Sequence, residues 1–377
     1  SYYYGKQSGV TTFIDQWAAS LLSRNSATLH LLQPTNAPYA RTETRKFGAG
    51  ELRSVPARYT GLASDFAAWE GPLRERLAKL VAEVRPGLIM LQTPLENIAR
   101  MAAEAAAPSG AATMVLAHTL SPQMSQPAAV AAHGALDARA AVSHALAGKL
   151  APDTAVLSPV LDLDFWRAGA VSDLTRRTLR ARNGLSNRFV LLAPHRFMPT
   201  KGQLDALEAL RVLNASGHRF ALILAGEISG KEEPYAERLR AYIREHGLSG
   251  DVIWLPPQDR IEMREWYAAS DAVLVPTTNE ALGLVALEAQ AMGVPVAGYR
   301  AMGIPETVED GVTGLLSEPG DFAGLAANVA RMESDAEFYA QARTRAPRFV
   351  REAYDPTAVA AQHEAFYRGL IDRARRR

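Results

Sequence analysis

The chain has 377 residues, of which 48% are hydrophobic and 21% charged, and its formal net charge is +1. This length suits about two domains, and the near-neutral charge gives no indication of nucleic-acid binding. Because the chain has no cysteine, disulfides, zinc–thiolate sites and cysteine nucleophiles are excluded, which fits a cytoplasmic protein. No apolar run approaches the ~20 residues that span a bilayer.

The N-terminal half alternates short apolar runs with amphipathic segments. Residues 11–22 are predicted to form a helix, and residues 1–10 have the character of the loop before it. We therefore expect a first strand of roughly six apolar residues before Ser1, which would complete the first crossover. The other strands predicted in this half are Ala27–Gln33, Gly87–Gln92, Thr113–His118, Arg139–Ser143 and Ala155–Val160.

The C-terminal half repeats this alternation. Helices are predicted at Gly202–Ser216, Pro234–Glu245, Ile261–Ala269, Gly283–Met292 and Pro356–Arg373. Short strands that are apolar on both faces are typical of parallel sheets with helices on each side. The strands predicted here are Arg188–Ala193, Phe220–Ala225, Val252–Leu255, Ala272–Pro276, Val294–Gly298 and Gly314–Leu316.

The polar stretch Asp164–Asn187 separates the two halves. The predicted fold class is α/β, with two Rossmann-like, doubly wound parallel sheets. We assign residues 1–165 to an N-terminal domain and residues 166–354 to a C-terminal domain. Residues 355–377 are predicted to form a helix that packs back on the N-terminal domain.

Two carboxylates, Glu280 and Glu288, lie eight positions apart, after the strand Ala272–Pro276 and on the next predicted helix. Gly283 and Leu284 begin that helix, where unpaired N–H groups and the helix dipole favour a phosphate. At ~1.5 Å of rise per residue the carboxylates would be roughly 10 Å apart. That separation suits two ends of a nucleotide sugar and is too large for one acid/base pair. Two ordinary surface carboxylates are the alternative.

Two cations, Arg196 and Lys201, follow the predicted strand Arg188–Ala193. In a doubly wound sheet such loops open at the carboxyl edge, where ligands bind. There the two cations would neutralise a diphosphate leaving group without a metal, so we expect no metal site and no cofactor. Gly226 begins another loop at this edge and is included among the donor-binding residues. A pair of solvated loop cations is the alternative.

These features resemble glycosyltransferase family 4, retaining enzymes of the GT-B fold with an E-x7-E motif and two domains that face each other across a cleft. The resemblance is strongest over residues 189–316, and the family's arginine–lysine pair matches Arg196 and Lys201. It implies that the N-terminal domain is on the acceptor side and that the C-terminal domain binds the nucleotide sugar. Within the C-terminal domain, it implies that Glu280 faces the sugar hydroxyls of the donor and Glu288 the ribose. The other matching positions are Pro276, Gly283, Gly303-Ile-Pro-Glu306 and Asp310-Gly-Val-Thr-Gly314.

The N-terminal half matches the family more loosely. Ser8-Gly9-Val10 is similar to its glycine loop, which approaches the donor phosphate or the acceptor, so Gly9 is a candidate donor-binding residue. His118, followed by Thr119, ends a strand where many members place a histidine near the reacting sugar. Both motifs resemble the branch that contains GDP-mannose-dependent mannosyltransferases and sulfolipid synthases.

Several positions depart from the family pattern. Leu282 replaces a common aromatic residue, Met302 replaces the first of two glycines, and Glu227 follows Gly226 where a small residue is frequent. Met302 adds bulk where the backbone would approach the donor, and Glu227 would place a negative charge near the phosphates. Leu282 keeps an apolar side chain and is compatible with the pattern.

Two other motifs favour structural interpretations. Gly226–Lys231 is one residue shorter than a Walker loop, and no Ser or Thr follows it. Asp162-Leu-Asp164 has the spacing of a metal-binding DxD motif, but its position at the domain join favours a structural role. The locally basic residues 41–58 and 373–377 are interpreted as solvated surface, with contact to an inner membrane surface as the alternative.

The sequence therefore predicts a metal-independent, retaining glycosyltransferase in which Glu280, Arg196, Lys201 and His118 are catalytic. Its donor would be GDP-mannose or a UDP-hexose, and its acceptor a hydroxyl on a glycan, a lipid or a small molecule. Two alternatives stay open. One is a nucleotide-sugar epimerase or hydrolase of the same fold, and the other is a non-catalytic nucleotide-sugar-binding protein.

Overall fold

The computed structural model describes residues 9–25, 27–35, 41–47, 49–58, 66–92, 96–119, 132–215, 220–228 and 233–377. The chain divides into two compact units, Ser1–Asp162 with Tyr354–Arg377, and Leu163–Ala353. The division thus falls after Asp162 rather than after residue 165. In the described part of the chain, no helix is both long and apolar enough to cross a membrane.

The first unit contains two sheets, with strand orders β1-β3-β2 and β4-β5-β6-β7. All neighbouring strands in them are parallel except β2 and β3, which form an antiparallel hairpin. Its elements are α1 (Gly9–Arg24), β1 (Thr28–Thr35), β2 (Glu43–Phe47), β3 (Gly50–Arg58), α2 (Phe66–Val84), β4 (Leu88–Leu91), α3 (Glu96–Ala106), β5 (Ala112–Ala117), β6 (Ala138–Ala141), α4 (His144–Ala147), β7 (Ala155–Val156) and, from the end of the chain, α13 (Pro356–Ala374).

The second unit is built on one parallel sheet of order β10-β9-β8-β11-β12-β13. The chain moves outward from β8 in one direction and resumes at β11 on the other side of β8. Its elements are α5 (Asp173–Arg182), β8 (Phe189–Pro194), α6 (Gln203–Ala215), β9 (Phe220–Ala225), α7 (Glu233–Glu245), β10 (Val252–Trp254), α8 (Arg260–Ala269), β11 (Ala272–Val275), α9 (Leu284–Ala291), β12 (Val296–Tyr299), α10 (Ile304–Thr307), β13 (Gly314–Ser317), α11 (Phe322–Ser334) and α12 (Ala336–Ala353).

The core of the second unit follows from its apolar strands. Every residue of β9 and β11 is buried, as expected for strands covered on both faces. Leu207, Leu210 and Leu213 of α6 face this sheet at helical spacing and belong to the same apolar cluster. Burial of each leucine side chain stabilises the folded state by about 1.5–3 kcal/mol relative to an exposed leucine. This packing holds in place the strands that carry the candidate site.

The structure adds to or changes the predicted elements in three places. The polar join Asp164–Asn187, for which no helix was predicted, contains α5, whose ten residues include none that is buried. The hairpin of β2 and β3 was not predicted, because Glu43–Phe47 carries three charged residues and lacks an apolar face. The strand predicted at Ala155–Val160 is paired only over Ala155–Val156.

Helix α13 packs within the first unit. The rings of Trp17 in α1 and Tyr367 in α13 meet edge to face, with their centroids 6.0 Å apart. His363, also in α13, forms a hydrogen bond of 2.8 Å through Nε2 to the carbonyl oxygen of Ser158. The last helix is therefore a structural part of the unit that contains the first helix.

Candidate functional site

The strand order of the second unit brings two predicted site residues together. Strands β8 and β11 are neighbours, so the loops at their carboxyl ends meet where the strand order reverses. Lys201 lies in a short 3-10 turn after β8, and Glu280 follows β11. Lys201 Nζ lies 2.5 Å from Glu280 Oε2, and the two side chains are 20% and 22% exposed. The pair is thus largely removed from water but still reachable by a ligand.

The two loops are tied together by their backbones next to this pair. The carbonyl oxygen of Thr200 accepts hydrogen bonds from Thr278 N–H and Thr277 Oγ1, each at 3.0 Å. Gly202, with φ of 70°, lies so close to Pro276 that an added Cβ would be 1.9 Å from its carbonyl oxygen. Only glycine fits this close approach, which sets the position of Lys201 against β11.

Arg196 lies in the same loop but is not brought into the ion pair. Its guanidinium is exposed, and Nη2 lies 3.3 Å from Met198 Sδ. The backbone beneath it is held by Gln203, whose Nε2 donates to the carbonyl oxygen of Arg196 at 2.7 Å. The structure therefore places Arg196 as a solvent-facing cation on a fixed loop.

Gly226 packs against this loop from the end of β9. A Cβ at Gly226 would lie 2.1 Å from the carbonyl oxygen of His195. Phe197 N–H also donates to the carbonyl oxygen of Glu227, at 3.3 Å. Close backbone packing, rather than a visible role toward a ligand, thus accounts for glycine at position 226.

Helix α9 begins beside Glu280. Gly283 occupies its N-cap position with φ of 104°, and a Cβ there would meet Ile304 Cδ1 at 2.7 Å. Among the described residues, no side chain caps this helix, so the N–H groups of Leu284 and Val285 begin it without a side-chain acceptor. Uncapped N–H groups at the positive end of a helix dipole can bind a phosphate or another anion.

The loop after β12 supports Glu280 from a third direction. Gly303 N–H donates to the carbonyl oxygen of Glu280 at 3.0 Å, and a Cβ on Gly303 would lie 2.1 Å from the carbonyl oxygen of Ala281. Met302 has φ of 43°, in the left-handed region that favours glycine. The departure from the family pattern at Met302 is thus accommodated with a strained backbone.

Glu288 lies on α9 in a half-buried setting that the sequence did not reveal. Tyr267 of α8 donates its hydroxyl hydrogen to Glu288 Oε2 at 3.0 Å. Burial raises the pKa of Glu288 to about 7, while this hydrogen bond and the charge of Arg260 lower it in part. Nothing in the sequence around Tyr267 indicates which helix its side chain faces, so this partner of Glu288 could not be predicted.

Arginines of α8 surround aromatic residues near this carboxylate. The guanidinium carbons of Arg260 and Arg264 lie 3.9 Å and 4.3 Å from the ring centroid of Phe165. Trp166 in turn packs edge to face on Tyr267, with centroids 5.4 Å apart. These contacts order α8 and keep positive charge near Glu288.

The remaining predicted site residues belong to the first unit. His118 follows β5, and its Nε2 lies 2.6 Å from Gln92 Oε1, at the end of the neighbouring β4. Burial lowers the pKa of His118 to about 3, so the ring is neutral at neutral pH. It can exchange hydrogen bonds there but does not act as a cation. Gly9 is the first residue of α1.

Some predicted motifs fall partly outside the described residues. Ser8, which precedes Gly9, and Gly230 and Lys231 of the near-Walker loop are among them. Asp162 and Asp164 lie at the division between the two units.

The second unit therefore holds a cation, a carboxylate and a helix start at the switch point of a parallel sheet. Residues 175–349 match the family of glycosyl transferases group 1. The matched stretch contains all the candidate site residues of the second unit.

The similar curated proteins are also glycosyltransferases. D-inositol 3-phosphate glycosyltransferase of Mycolicibacterium paratuberculosis is 38% identical over 162 residues, 43% of this chain and 35% of that protein. The protein of the same name from Saccharomonospora viridis is 36% identical over 209 residues, 53% of this chain and 47% of its own. The matched stretch thus spans less than half the length of these relatives.

Solved structures extend the likeness to the whole chain. Anabaena Alr3699/HepE, in a complex with UDP, has a TM-score of 0.77 and 23% identity over 97% of each chain. Sucrose-phosphate synthase from Thermosynechococcus elongatus has a TM-score of 0.78 and 20% identity over 97% of this chain and 94% of its own. These comparisons confirm the predicted fold class, two Rossmann-like α/β domains of the GT-B type, and the predicted similarity to glycosyltransferases. The mannosyltransferase and sulfolipid-synthase branch stays a prediction.

Proposed function

We propose that the protein transfers a hexose from a nucleoside-diphosphate sugar to an acceptor hydroxyl, with retention of anomeric configuration and without a metal. The observation that supports this most directly is the ion pair of Lys201 and Glu280 beside the uncapped start of α9. A diphosphate needs positive charge and N–H donors, and sugar hydroxyls need a carboxylate that accepts their hydrogen bonds.

The donor diphosphate would lie between Lys201 and the helix start at Gly283. As the bond between the anomeric carbon and the phosphate oxygen breaks, negative charge grows on that oxygen. Lys201 and the N–H groups of α9 would stabilise it, since preorganised charges and dipoles are most effective where charge develops. Arg196 is exposed on the same loop and free to turn toward the phosphates when a donor enters. Glu280 would accept hydrogen bonds from the sugar hydroxyls.

Glu288 would hold the ribose. Ribose hydroxyls donate to a carboxylate, and Tyr267 already orients one carboxylate oxygen of Glu288. In the transfer step the acceptor oxygen forms a bond to the anomeric carbon on the face that the phosphate leaves. The acceptor proton passes to the departing phosphate oxygen. In the first unit, neutral His118 would orient a hydroxyl group by hydrogen bonding.

The donor proposed is GDP-mannose or a UDP-hexose, and the acceptor is a glycan, lipid or small-molecule hydroxyl. Anabaena Alr3699/HepE, which has a similar fold, was crystallised with UDP and with UDP-glucose, so the UDP series is the first to test. The similar D-inositol 3-phosphate glycosyltransferases add inositol phosphate to the small-molecule acceptors that should be tried.

The deciding experiment is a thermal shift with GDP, UDP and ADP and their hexose forms, for the wild type and Lys201→Ala. At ~100 times the dissociation constant, a ligand stabilises the folded protein by about 2.7 kcal/mol. We expect one nucleotide series to raise the melting temperature of the wild type and to have little effect on that of the variant. If no series raises the melting temperature of the wild type, the proposed donor site is wrong. Donor turnover without any acceptor would instead indicate a hydrolase or epimerase.

A further inference from the structure

The side chain of His195 is buried directly after β8, and the proposed function gives it no role. The residue is only 5% exposed. Its Nε2 lies 3.0 Å from the carbonyl oxygen of Leu274 in β11. A carbonyl oxygen can only accept a hydrogen bond, so Nε2 must carry the ring hydrogen and donate it. The imidazole therefore links the end of one strand that carries the candidate site to the neighbouring strand.

This hydrogen bond replaces one that the strand ladder cannot make. Val273 N–H donates to Pro295 on the side of β12, so the N–H and C=O groups of the next residue, Leu274, face β8. The register of β8 and β11 places residue 194 where its N–H would donate to the Leu274 carbonyl oxygen. Residue 194 is proline, which has no N–H. His195 Nε2 supplies the missing donor to a buried carbonyl group.

The backbone of His195 is held as firmly as its ring. His195 N–H donates to the carbonyl oxygen of Ala193, two residues back, at 3.1 Å, which is the hydrogen bond of a γ-turn. The carbonyl oxygen of His195 accepts from Gln203 Nε2 at 3.3 Å. His195 is thus the fixed first residue of the loop that carries Arg196 and Lys201.

The charges of the ion pair act on this ring. Burial and the positive charge of Lys201 lower the pKa of His195 to about 4, while the hydrogen bond to Leu274 and the charge of Glu280 oppose this in part. The imidazole is therefore neutral at neutral pH. It can donate to Leu274 there without adding a second positive charge beside Lys201.

We propose that His195 is a positioning residue for glycosyl transfer, which holds the loop of Lys201 against the strand that leads to Glu280. The inference rests on the proposed function. His195 would fix the beginning of the loop, and Thr200, whose carbonyl oxygen accepts from the segment after β11, would fix its end. A shift of about 1 Å in a positioned group can lower a rate by about 10²-fold, so both ties would be needed for the ion pair to act on a donor.

Three substitutions at His195 differ in where they place an N–H group. The amide nitrogen of glutamine is as many bonds from Cβ as Nε2 of histidine, whereas that of asparagine is one bond closer. Leucine fills a similar space without any donor. His195→Gln can therefore keep the hydrogen bond to Leu274, and His195→Asn and His195→Leu cannot.

Steady-state kinetics and urea unfolding of these variants test the proposal. We expect His195→Asn and His195→Leu to lower kcat by about 10–10²-fold, because Lys201 is no longer held in place. The donor KM should change by less than about threefold, since the interaction of Lys201 that is lost is made mainly in the transition state. His195→Gln should restore kcat to within about threefold of the wild type. Equal kcat values for His195→Gln and His195→Asn, at equal urea midpoints, would overturn the proposal.

Nuclear magnetic resonance detects the hydrogen bond in the wild type without a substrate. In protein labelled with ¹⁵N at histidine, the His195 signals are those missing from a variant at this position. They should show a hydrogen on Nε2 and none on Nδ1, and keep this form down to about pH 5, roughly one unit above the pKa. A hydrogen on Nδ1 instead, or titration near pH 6.5, the ordinary histidine pKa, would overturn the proposal.

These outcomes separate the role of His195 from the proposed function. A wild type that binds none of the nucleotides and transfers no hexose would overturn both. A wild type that binds a nucleotide and transfers a hexose, with His195→Asn and His195→Leu as active as the wild type, would overturn the role of His195 alone.

Discussion

Lys201 Nζ and Glu280 Oε2 lie 2.5 Å apart although the two residues are 79 positions apart in the sequence. Each residue follows one of two neighbouring strands, and the strand order, not the sequence, makes them partners. In the proposed function, Lys201 would bind the donor phosphate and Glu280 the sugar hydroxyls, so one hydrogen bond would join the two ligand-binding groups.

Changing either member of the ion pair should reduce transfer strongly. Lys201→Met and Glu280→Gln should each lower kcat by about 10²–10³-fold, the usual effect of removing a group that stabilises developing charge. The kcat of the double variant should be only slightly lower than that of the less active single variant, because the effects of residues that act as a unit are not additive. Steady-state kinetics with the donor found by thermal shift provides the measurement.

The matched control for this cycle is Lys79→Met, which removes an exposed ion pair of 2.6 Å with Glu75. Such a surface pair contributes little, so the kcat of Lys79→Met should stay within about twofold of the wild type. If the fold-loss of kcat in the double variant equalled the product of the losses in the two single variants, Lys201 and Glu280 would not act as one unit.

Glu288 should make stability depend on pH. Its pKa is about 7 in the folded protein against an ordinary value of 4.5. Below pH 4.5 the carboxyl is protonated in both states, and between pH 4.5 and 7 the folded state keeps a proton that the unfolded state loses. Stability therefore falls as pH rises through this window, by up to the order of 3 kcal/mol above pH 7.

Glu288→Gln should remove this dependence. The free energy of unfolding of the variant, relative to wild type, should be higher at pH 8 than at pH 5 by the same order of magnitude. Urea unfolding at the two pH values measures the difference. An equal difference at both pH values would show that Glu288 ionises normally in the folded protein.

Tyr267→Phe should move the pH dependence of donor binding. The Glu288 carboxylate, but not the protonated acid, accepts two hydrogen bonds well, so the affinity for a nucleotide sugar should increase with pH through about 7. Loss of the Tyr267 hydroxyl removes a hydrogen bond that favours the carboxylate, so this increase should shift to higher pH. The measurement is calorimetric titration across pH 5.5–8.5, a range of roughly 1.5 units on either side of the Glu288 pKa.

Tyr299→Phe is the control for this shift. The Tyr299 hydroxyl donates to Asp205 at 2.7 Å and not to Glu288. Both variants lose one hydrogen bond, worth about 0.5–1.5 kcal/mol, but only Tyr267→Phe should move the midpoint of the affinity curve. The same shift in both variants would assign it to general destabilisation.

Gly202→Ala should destabilise the second unit more than Gly184→Ala does. The two glycines have nearly equal φ values, 70° and 68°. An added Cβ would lie 1.9 Å from the carbonyl oxygen of Pro276 at Gly202, but within 4 Å of no described neighbour at Gly184. Gly184→Ala should cost about 1–2 kcal/mol for the left-handed backbone alone.

Gly202→Ala adds a backbone clash, for a total of about 3 kcal/mol or more. Midpoints of urea unfolding compare the two variants. Because the clash also separates the loops after β8 and β11, Gly202→Ala should weaken nucleotide binding, and Gly184→Ala should leave it unchanged. Equal unfolding midpoints would mean that the two loops separate without cost.

Much of the second unit could be predicted from its sequence because each element there carries its own signal. The apolar run Phe220–Ala225 is β9 at the same bounds, and Gly202–Ser216 differs from α6 by one residue at each end. Elements without an apolar face were missed. Helix α5 has no buried residue among its ten, and β2, at a sheet edge, carries three charged side chains among its five residues.

For the candidate site, the residue types that follow each strand could be predicted from the sequence: cations after β8, a carboxylate after β11 and a glycine before α9. Which of these residues contact one another depends on the fold. It paired Lys201 with Glu280, left Arg196 exposed, and placed Tyr267 on Glu288. The physical reason is that strand order and helix packing arise from burying many apolar side chains together, so contacts between distant residues have no local pattern in the sequence.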